Sequence, residues 1–191
     1  AALPVLWYFA DPMCSWCWGF SPVIEVIREQ YGDRMKIALM LGGLRPEVST
    51  GMSQSECDEI LQHWREVHAR CGQTFSFDGA PVAGFVYDTE PASRAIISVG
   101  ALDAAATFPY FKAVQHAFYV DQRDVTQTGV LADLAQHHGI ARDAFLTHFN
   151  SAPMRKKTHQ HFVHTRQAEV RGFPTLVAQN AAGHAMLSHG F

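Results

Sequence analysis

Hydrophobic positions follow two different periods along this chain. Leu3–Ala10 is an almost continuous apolar run, rich in aromatic and β-branched residues and closed by Asp11-Pro12. A short run bounded by a turn signal reads as a strand buried on both faces. Phe20, Val23, Ile24, Ile27 and Tyr31 then recur at helical spacing, and Gly32 sits where a helix C-terminus is expected. A second apolar run, Ile37–Leu41, ends at Gly42-Gly43. Strand, helix and strand in this order predict a right-handed parallel crossover.

From about Ser53 to Val170 nearly every segment has helical period. Ser53 and Glu56 form a capping-box pair, followed by the stripe Cys57, Ile60, Leu61, Trp64, Val67, His68 and Cys71, with Gly72 closing the helix. Pro91 suits a first turn ahead of Ala95, Ile96, Val99 and Leu102, and Pro109 is expected to start the helix that carries Phe111, Val114 and Phe118. Shorter helices follow at Val130–Ala135, before Gly139, and at Phe145–Phe149. Met154 to about Glu169 is a more polar one. Strand character returns in Pro174–Gln179 and His184–Ser188, joined by a turn at Asn180–Gly183. No repeat and no Pro/Gly/Ser linker sets the helical block apart. The predicted organisation is an α/β unit in two parts, residues 1–45 and 166–191, interrupted by a helical insertion at 46–165.

The chain has 191 residues, 48% of them hydrophobic and 17% charged, enough for one domain with a sizeable core. A net charge of -3 offers nothing to a polyanion, so nucleic acid is not an expected partner. The apolar run at Leu3–Ala10 is too short for a membrane span or a signal-peptide core. Four cysteines are too few for a disulfide scaffold. Cys57 and Cys71 lie on one predicted helix at ~1.5 Å rise per residue, about 21 Å apart. They cannot pair, and read as small buried hydrophobes. His137, His138, His159, His161 and His164 read as solvated helix surface rather than metal ligands.

Cys14-Ser15-Trp16-Cys17 carries the chemistry. Two thiols at i and i+3, between a buried strand and an amphipathic helix, can close a disulfide across the first turn. The first sits among backbone N–H groups without helical partners, where the macrodipole favours thiolate, the species that attacks disulfides. The second is one turn in and more shielded, which suits a resolving thiol. A zinc pair is the alternative, but such a site needs further ligands and there is no second CxxC. CxxC beside a βαβ unit is the thioredoxin-like signature. Gly172-Phe173-Pro174-Thr175 places a proline at the start of a strand, where a cis peptide is permitted.

Three segments together resemble the DsbA family of thiol:disulfide oxidoreductases, and within it the FrnE-like branch. They are Asp11-Pro-Met-Cys-Ser-Trp-Cys-Trp-Gly-Phe20, the insertion with Glu90-Pro-Ala-Ser-Arg-Ala95 and Ala117-Phe-Tyr-Val-Asp-Gln-Arg-Asp124, and Gly172-Phe-Pro-Thr175. The resemblance implies a thioredoxin-like α/β fold with a large helical insertion, Cys14 as nucleophile and Cys17 as resolving cysteine. It implies a cis Pro174 against the pair, in a loop that docks extended substrate, with Phe173 facing the site. Trp16, expected to be exposed, joins Phe173, Pro174 and Thr175 as the substrate-binding set. No cofactor beyond the Cys14–Cys17 disulfide is implied. Protein or peptide thiols and disulfides are the expected partners, with glutathione or a thioredoxin-type reductant as redox partner and a dimer as an open possibility. The expected compartment is the cytoplasm, or the periplasm if a leader was removed. Relatives of this branch more often carry Pro-Trp between the cysteines, and strong oxidants carry Pro-His, so Ser-Trp implies a less oxidising couple. The family's closing helix after the last hairpin is not seen before Phe191. The alternative on the same scaffold is a glutathione-dependent transferase or isomerase, of the kappa-class or 2-hydroxychromene-2-carboxylate isomerase kind. Such enzymes use a single Ser or Cys near position 14 and do not need Cys17.

Overall fold

The computed structural model describes residues 3–79 and 81–190, so residues 1–2, 80 and 191 of the three expected segments lie outside it. Four strands form one sheet in the order β2-β1-β3-β4. β1 (Val5–Ala10) leads into α1 (Ser15–Tyr31), which returns to β2 (Lys36–Leu41), parallel to β1. β3 (Thr175–Asn180) runs antiparallel to β1 and forms a hairpin with β4 (Gly183–His189), with an irregularity at Leu176/Val177. Between β2 and β3 lie α2 (Gln54–Cys71), α3 (Glu90–Leu102), a 3-10 turn (Ala104–Ala106), α4 (Thr107–Tyr119), α5 (Thr128–His137), α6 (Arg142–Phe149) and α7 (Ala152–Gln167). The thioredoxin-like arrangement with a helical insertion is therefore the one observed.

The two sheet faces differ. Leu6, Tyr8 and Ala10 point into the core, where the Tyr8 ring meets Phe20 of α1 and Phe111 of α4. On the other face α7 packs beside β2, but Val5 and Trp7 are only half-buried. A cavity of about 900 Å³ there is lined by Trp7, Phe9, Met40, Val177 and Met186. The expectation that β1 is covered on both faces thus fails at Val5 and Trp7, while Phe9 on the same face is buried. Trp7 compensates by donating its Nε1–H to Gln179 Oε1 at 2.6 Å.

Local sequence accounts for both ends of α2. Ser53 and Glu56 make the reciprocal capping box of α2, and Gly72 closes it at φ 72°, a left-handed conformation that glycine adopts without penalty. Gly32 ends α1 as expected, but in right-handed backbone with φ −62°, so conformational freedom is not its role. Its smallness matters instead, since a Cβ there would lie 2.5 Å from the Arg28 carbonyl oxygen. Pro109 is the third residue of α4, not its first, because the 3-10 turn feeds the helix from Thr107. His68 is exposed and Cys71 half-buried, so the buried stripe of α2 narrows to Cys57, Trp64 and Val67.

α1 carries a proline in its interior. Pro22 has no N–H to give the Trp18 carbonyl. That oxygen accepts instead from Gln73 Nε2 at 2.9 Å, and Trp18 Nε1 donates to the Thr74 carbonyl at 2.8 Å. The segment after α2 is thereby laced onto the helix that carries the cysteines.

Candidate active site

Register brings the two halves of the site together. Phe9 of β1 pairs with Thr175 of β3, so the loop leaving β1 and the loop entering β3 emerge at the same edge. Cys14 is the N-cap of α1, in extended backbone, and its Sγ accepts from the Cys17 backbone N–H at 3.4 Å. As a thiol, the same sulfur donates to the Phe173 carbonyl at 3.7 Å. The Phe173–Pro174 peptide is cis. Cys14 is 6% exposed and Cys17 not at all, which separates an outward thiol from an inward one.

The loop before Cys14 is held by two groups. Asp11, fully buried, accepts from the Met13 N–H through Oδ1 and from the Leu44 N–H through Oδ2, both at 2.9 Å. Tyr87 donates its hydroxyl to the Met13 carbonyl. Asp11 thus ties the cysteine loop to the loop after β2. Gly42 in that second loop leaves room for Phe173, since a Cβ on it would lie 2.1 Å from the ring. Thr175 closes the Phe173–Pro174 loop from within, fully buried and donating to the Gly172 carbonyl at 2.8 Å.

Cys14, Trp16, Leu44, Tyr87 and Phe173 line a cavity of about 480 Å³ over the outward thiol. Pro174 and Thr175 stand behind this wall. Trp16, expected to be exposed, is half-buried, its indole nearly perpendicular to the His63 ring of α2 with ring centroids 5.8 Å apart. Contact with the insertion thus covers part of the ring.

Burial dominates the electrostatics beneath the cavity. Desolvation pushes the Cys17 thiol well above its ordinary range, reinforced by hydrogen bonding and charge from Cys14, while the Asp11 backbone N–H works in the opposite direction. Burial also raises the phenols of Tyr8, which faces both cysteines, and of Tyr119, beside Tyr87. Desolvation lifts the Asp11 carboxyl from 3.8 to about 6, against the stabilising backbone N–H groups of Leu44 and Met13. Such an arrangement holds the inner sulfur protonated while the outer one meets solvent and the helix N-terminus.

Sequence reasoning locates Cys14, Cys17, Trp16 and Phe173, and the structure brings all four together. It misses Asp11, Tyr87 and Gln73. In the sequence Asp11 reads as punctuation, although a carboxylate between a buried strand and a CxxC pair is itself a signal that something must satisfy it. His161 is also not surface: it is half-buried, and its Nδ1 accepts from the Leu41 N–H at 3.2 Å. Among the described residues no three His, Cys, Asp or Glu side chains gather as metal ligands, and no helix is long and apolar enough to cross a membrane.

Solved structures share this architecture. A candidate protein disulfide isomerase from Nitrosomonas europaea is 42% identical with a TM-score of 0.94, covering 100% of this chain and 91% of that one. The cytosolic disulfide reductase DsbM from Pseudomonas aeruginosa is 26% identical with a TM-score of 0.83, covering 96% of this chain and 89% of its own. The same reductase with glutathione superposes at a TM-score of 0.79. Among curated proteins, the ClpXP adapter protein SpxH of Halalkalibacterium halodurans is 23% identical over 185 residues, 92% of this chain and 58% of the adapter. The chain therefore spans less than two thirds of that relative's length. The family model for the DSBA-like thioredoxin domain matches residues 5–189, nearly everything from β1 to the end of β4, and the chain belongs to that family.

Proposed function

We propose that this chain is a thiol:disulfide oxidoreductase acting on protein or peptide thiols through Cys14 and Cys17. The observation that carries this is the split between the two sulfurs: one at a helix N-cap beneath an open cavity, its partner one turn in and fully buried. The Cys14 thiolate attacks a substrate disulfide, one S–S bond forms as another breaks, and the electron pair leaves on the first substrate sulfur. Cys17 then loses its proton, attacks Cys14 Sγ, and releases the second substrate sulfur with its electron pair. The cysteine pair ends oxidised, and the substrate has gained two electrons. The reverse sequence oxidises a dithiol. Phe173, beside Cys14, offers its carbonyl to an extended backbone, and Trp16 offers an apolar edge.

The DsbM neighbour supports the cytoplasm as the compartment, and its glutathione-bound form supports glutathione, or a thioredoxin-type reductant, as redox partner. The test is a redox titration against glutathione with thiol counting by mass spectrometry. A reversible two-thiol transition at Cys14 and Cys17 is expected, and Cys17→Ser should accumulate a mixed disulfide on Cys14. Absence of that transition overturns the reading. Full activity of Cys17→Ser on a small glutathione-dependent substrate would move the chain to the single-thiol transferase or isomerase class.

A further inference from the structure

The cavity over Cys14 has a charge opposite to that of the chain. The sequence holds 18 Asp and Glu against 15 Lys and Arg, yet Arg45, Arg166, Arg171 and His63 line this cavity, with no Asp or Glu among the described lining residues. The arginines arrive from three separate segments: the loop after β2, the last turn of α7 and the loop before Phe173. Arg94 pairs with Glu90 and both Arg123 and Arg142 with Asp133, whereas Arg28, Arg65, Arg70 and Arg155 make no ion pair among the described residues but do not converge on a cavity with a cysteine. Among the described residues, none of the three cavity arginines makes an ion pair. Arg45 lies over the Tyr87 ring at 5.0 Å, with Glu56 close enough to feel its charge but outside the cavity wall. Unpaired guanidiniums around a concave site are a recognition surface for carboxylates. A volume of about 480 Å³ suits a small molecule rather than a folded segment.

We infer that this cavity selects low-molecular-weight disulfides bearing carboxylates, with Arg45, Arg166 and Arg171 as specificity-determining residues and glutathione disulfide as the reference substrate. This rests on the oxidoreductase reading of Cys14 and Cys17. The Cys14 thiolate attacks one sulfur of the disulfide, forming the mixed disulfide and releasing one glutathione thiolate. Cys17 gives up its proton to solvent or to that thiolate, attacks Cys14 Sγ and releases the second. Two electrons pass from the cysteine pair to two glutathiones, and no further reductant is needed.

The test compares three disulfides of different charge, reacted with the reduced protein and followed by thiol counting: glutathione disulfide, neutral hydroxyethyl disulfide and cationic cystamine. Each rate is normalised to the rate of the same disulfide with dithiothreitol. At low salt the normalised rate with glutathione disulfide should exceed that with hydroxyethyl disulfide at least tenfold, with cystamine slowest, and the ratio should shrink as salt is added. Each of Arg45→Gln, Arg166→Gln and Arg171→Gln should lower the ratio by about two- to fivefold, as exposed ion pairs do, and the triple variant should bring it near one. Because the readout is a ratio within one protein, partial misfolding does not mimic it. Equal normalised rates for the three probes, or a ratio unmoved by the triple variant, overturns the inference and leaves the redox pair standing. No reaction with any of the three overturns the oxidoreductase reading as well.

Discussion

Replacing Asp11 by Asn should tilt the pH dependence of stability in one direction, and replacing His161 by Asn should tilt it in the other. Burial lifts the Asp11 carboxyl from 3.8 to about 6. Between those values the native chain holds a proton that the unfolded chain has lost. Stability from this group is complete below 3.8 and disappears as pH climbs through about 6. His161 has the opposite sign. Desolvation, helped by Lys157 and His164, lowers it from 6.5 to about 4. Its stabilisation is complete above 6.5 and is lost as pH falls through about 4, when protonation also removes the acceptor for the Leu41 N–H. Each group is worth about 3 kcal/mol over the window between pH 4 and 6, and in the wild-type chain the two slopes nearly cancel. Asp11→Asn leaves the histidine slope, so stability should rise with pH by about 3 kcal/mol across that window. His161→Asn keeps an acceptor oxygen near Nδ1 and leaves the aspartate slope, so stability should fall by a similar amount. Asn at position 11 also turns an NH₂ toward the N–H of Met13 or Leu44, an offset of about 1–3 kcal/mol that does not depend on pH. The readout is therefore the slope, taken from urea unfolding of the reduced protein at pH 4, 5 and 6 and constant ionic strength. Parallel curves for wild type and Asp11→Asn would refute the reasoning.

Gly42→Ala drives a Cβ into the Phe173 ring, so it should cost about 1–3 kcal/mol in chemical denaturation and slow disulfide exchange by displacing the wall beside Cys14. Gln73→Ala leaves the Trp18 carbonyl without its donor and should cost about 1–3 kcal/mol in urea unfolding, part of which Pro22→Ala should restore by returning a helical N–H. Trp64, 1% exposed and set against Phe75, Phe118 and Tyr119, should cost about 3–5 kcal/mol when truncated to Ala, read as a lower midpoint at unchanged m-value.

Features that depend on neighbours along the chain are legible in the sequence. The CxxC pair lies on the first turn of a helix whose apolar spacing is plain, and the capping box of α2 needs only Ser53, Glu56 and the residues between them. The proline loop is legible through its motif beside that pair. What escapes is decided by distant partners. Asp11 matters because the Leu44 N–H reaches it across the site, Pro22 is tolerated because Gln73 arrives from beyond α2, and His161 is held in place by the end of β2. Trp16 is half-covered because α2 presents His63 to it. Periodicity assigns a residue to a face, but it does not say what stands opposite, and for β1 one of the two faces has little opposite it.

The pairing of Phe9 with Thr175 also sets a timetable for synthesis. The strand leading to the cysteines leaves the ribosome early, while the strand that completes their surroundings comes after the whole helical insertion. At roughly 5–20 residues per second, the stretch from Leu41 to Thr175 takes about 7 to 27 seconds to emerge. Throughout that interval Cys14 and Cys17 exist without the Phe173 carbonyl and with one edge of β1 unpaired. The nascent chain thus carries Cys14 and Cys17 well before the walls around them are complete.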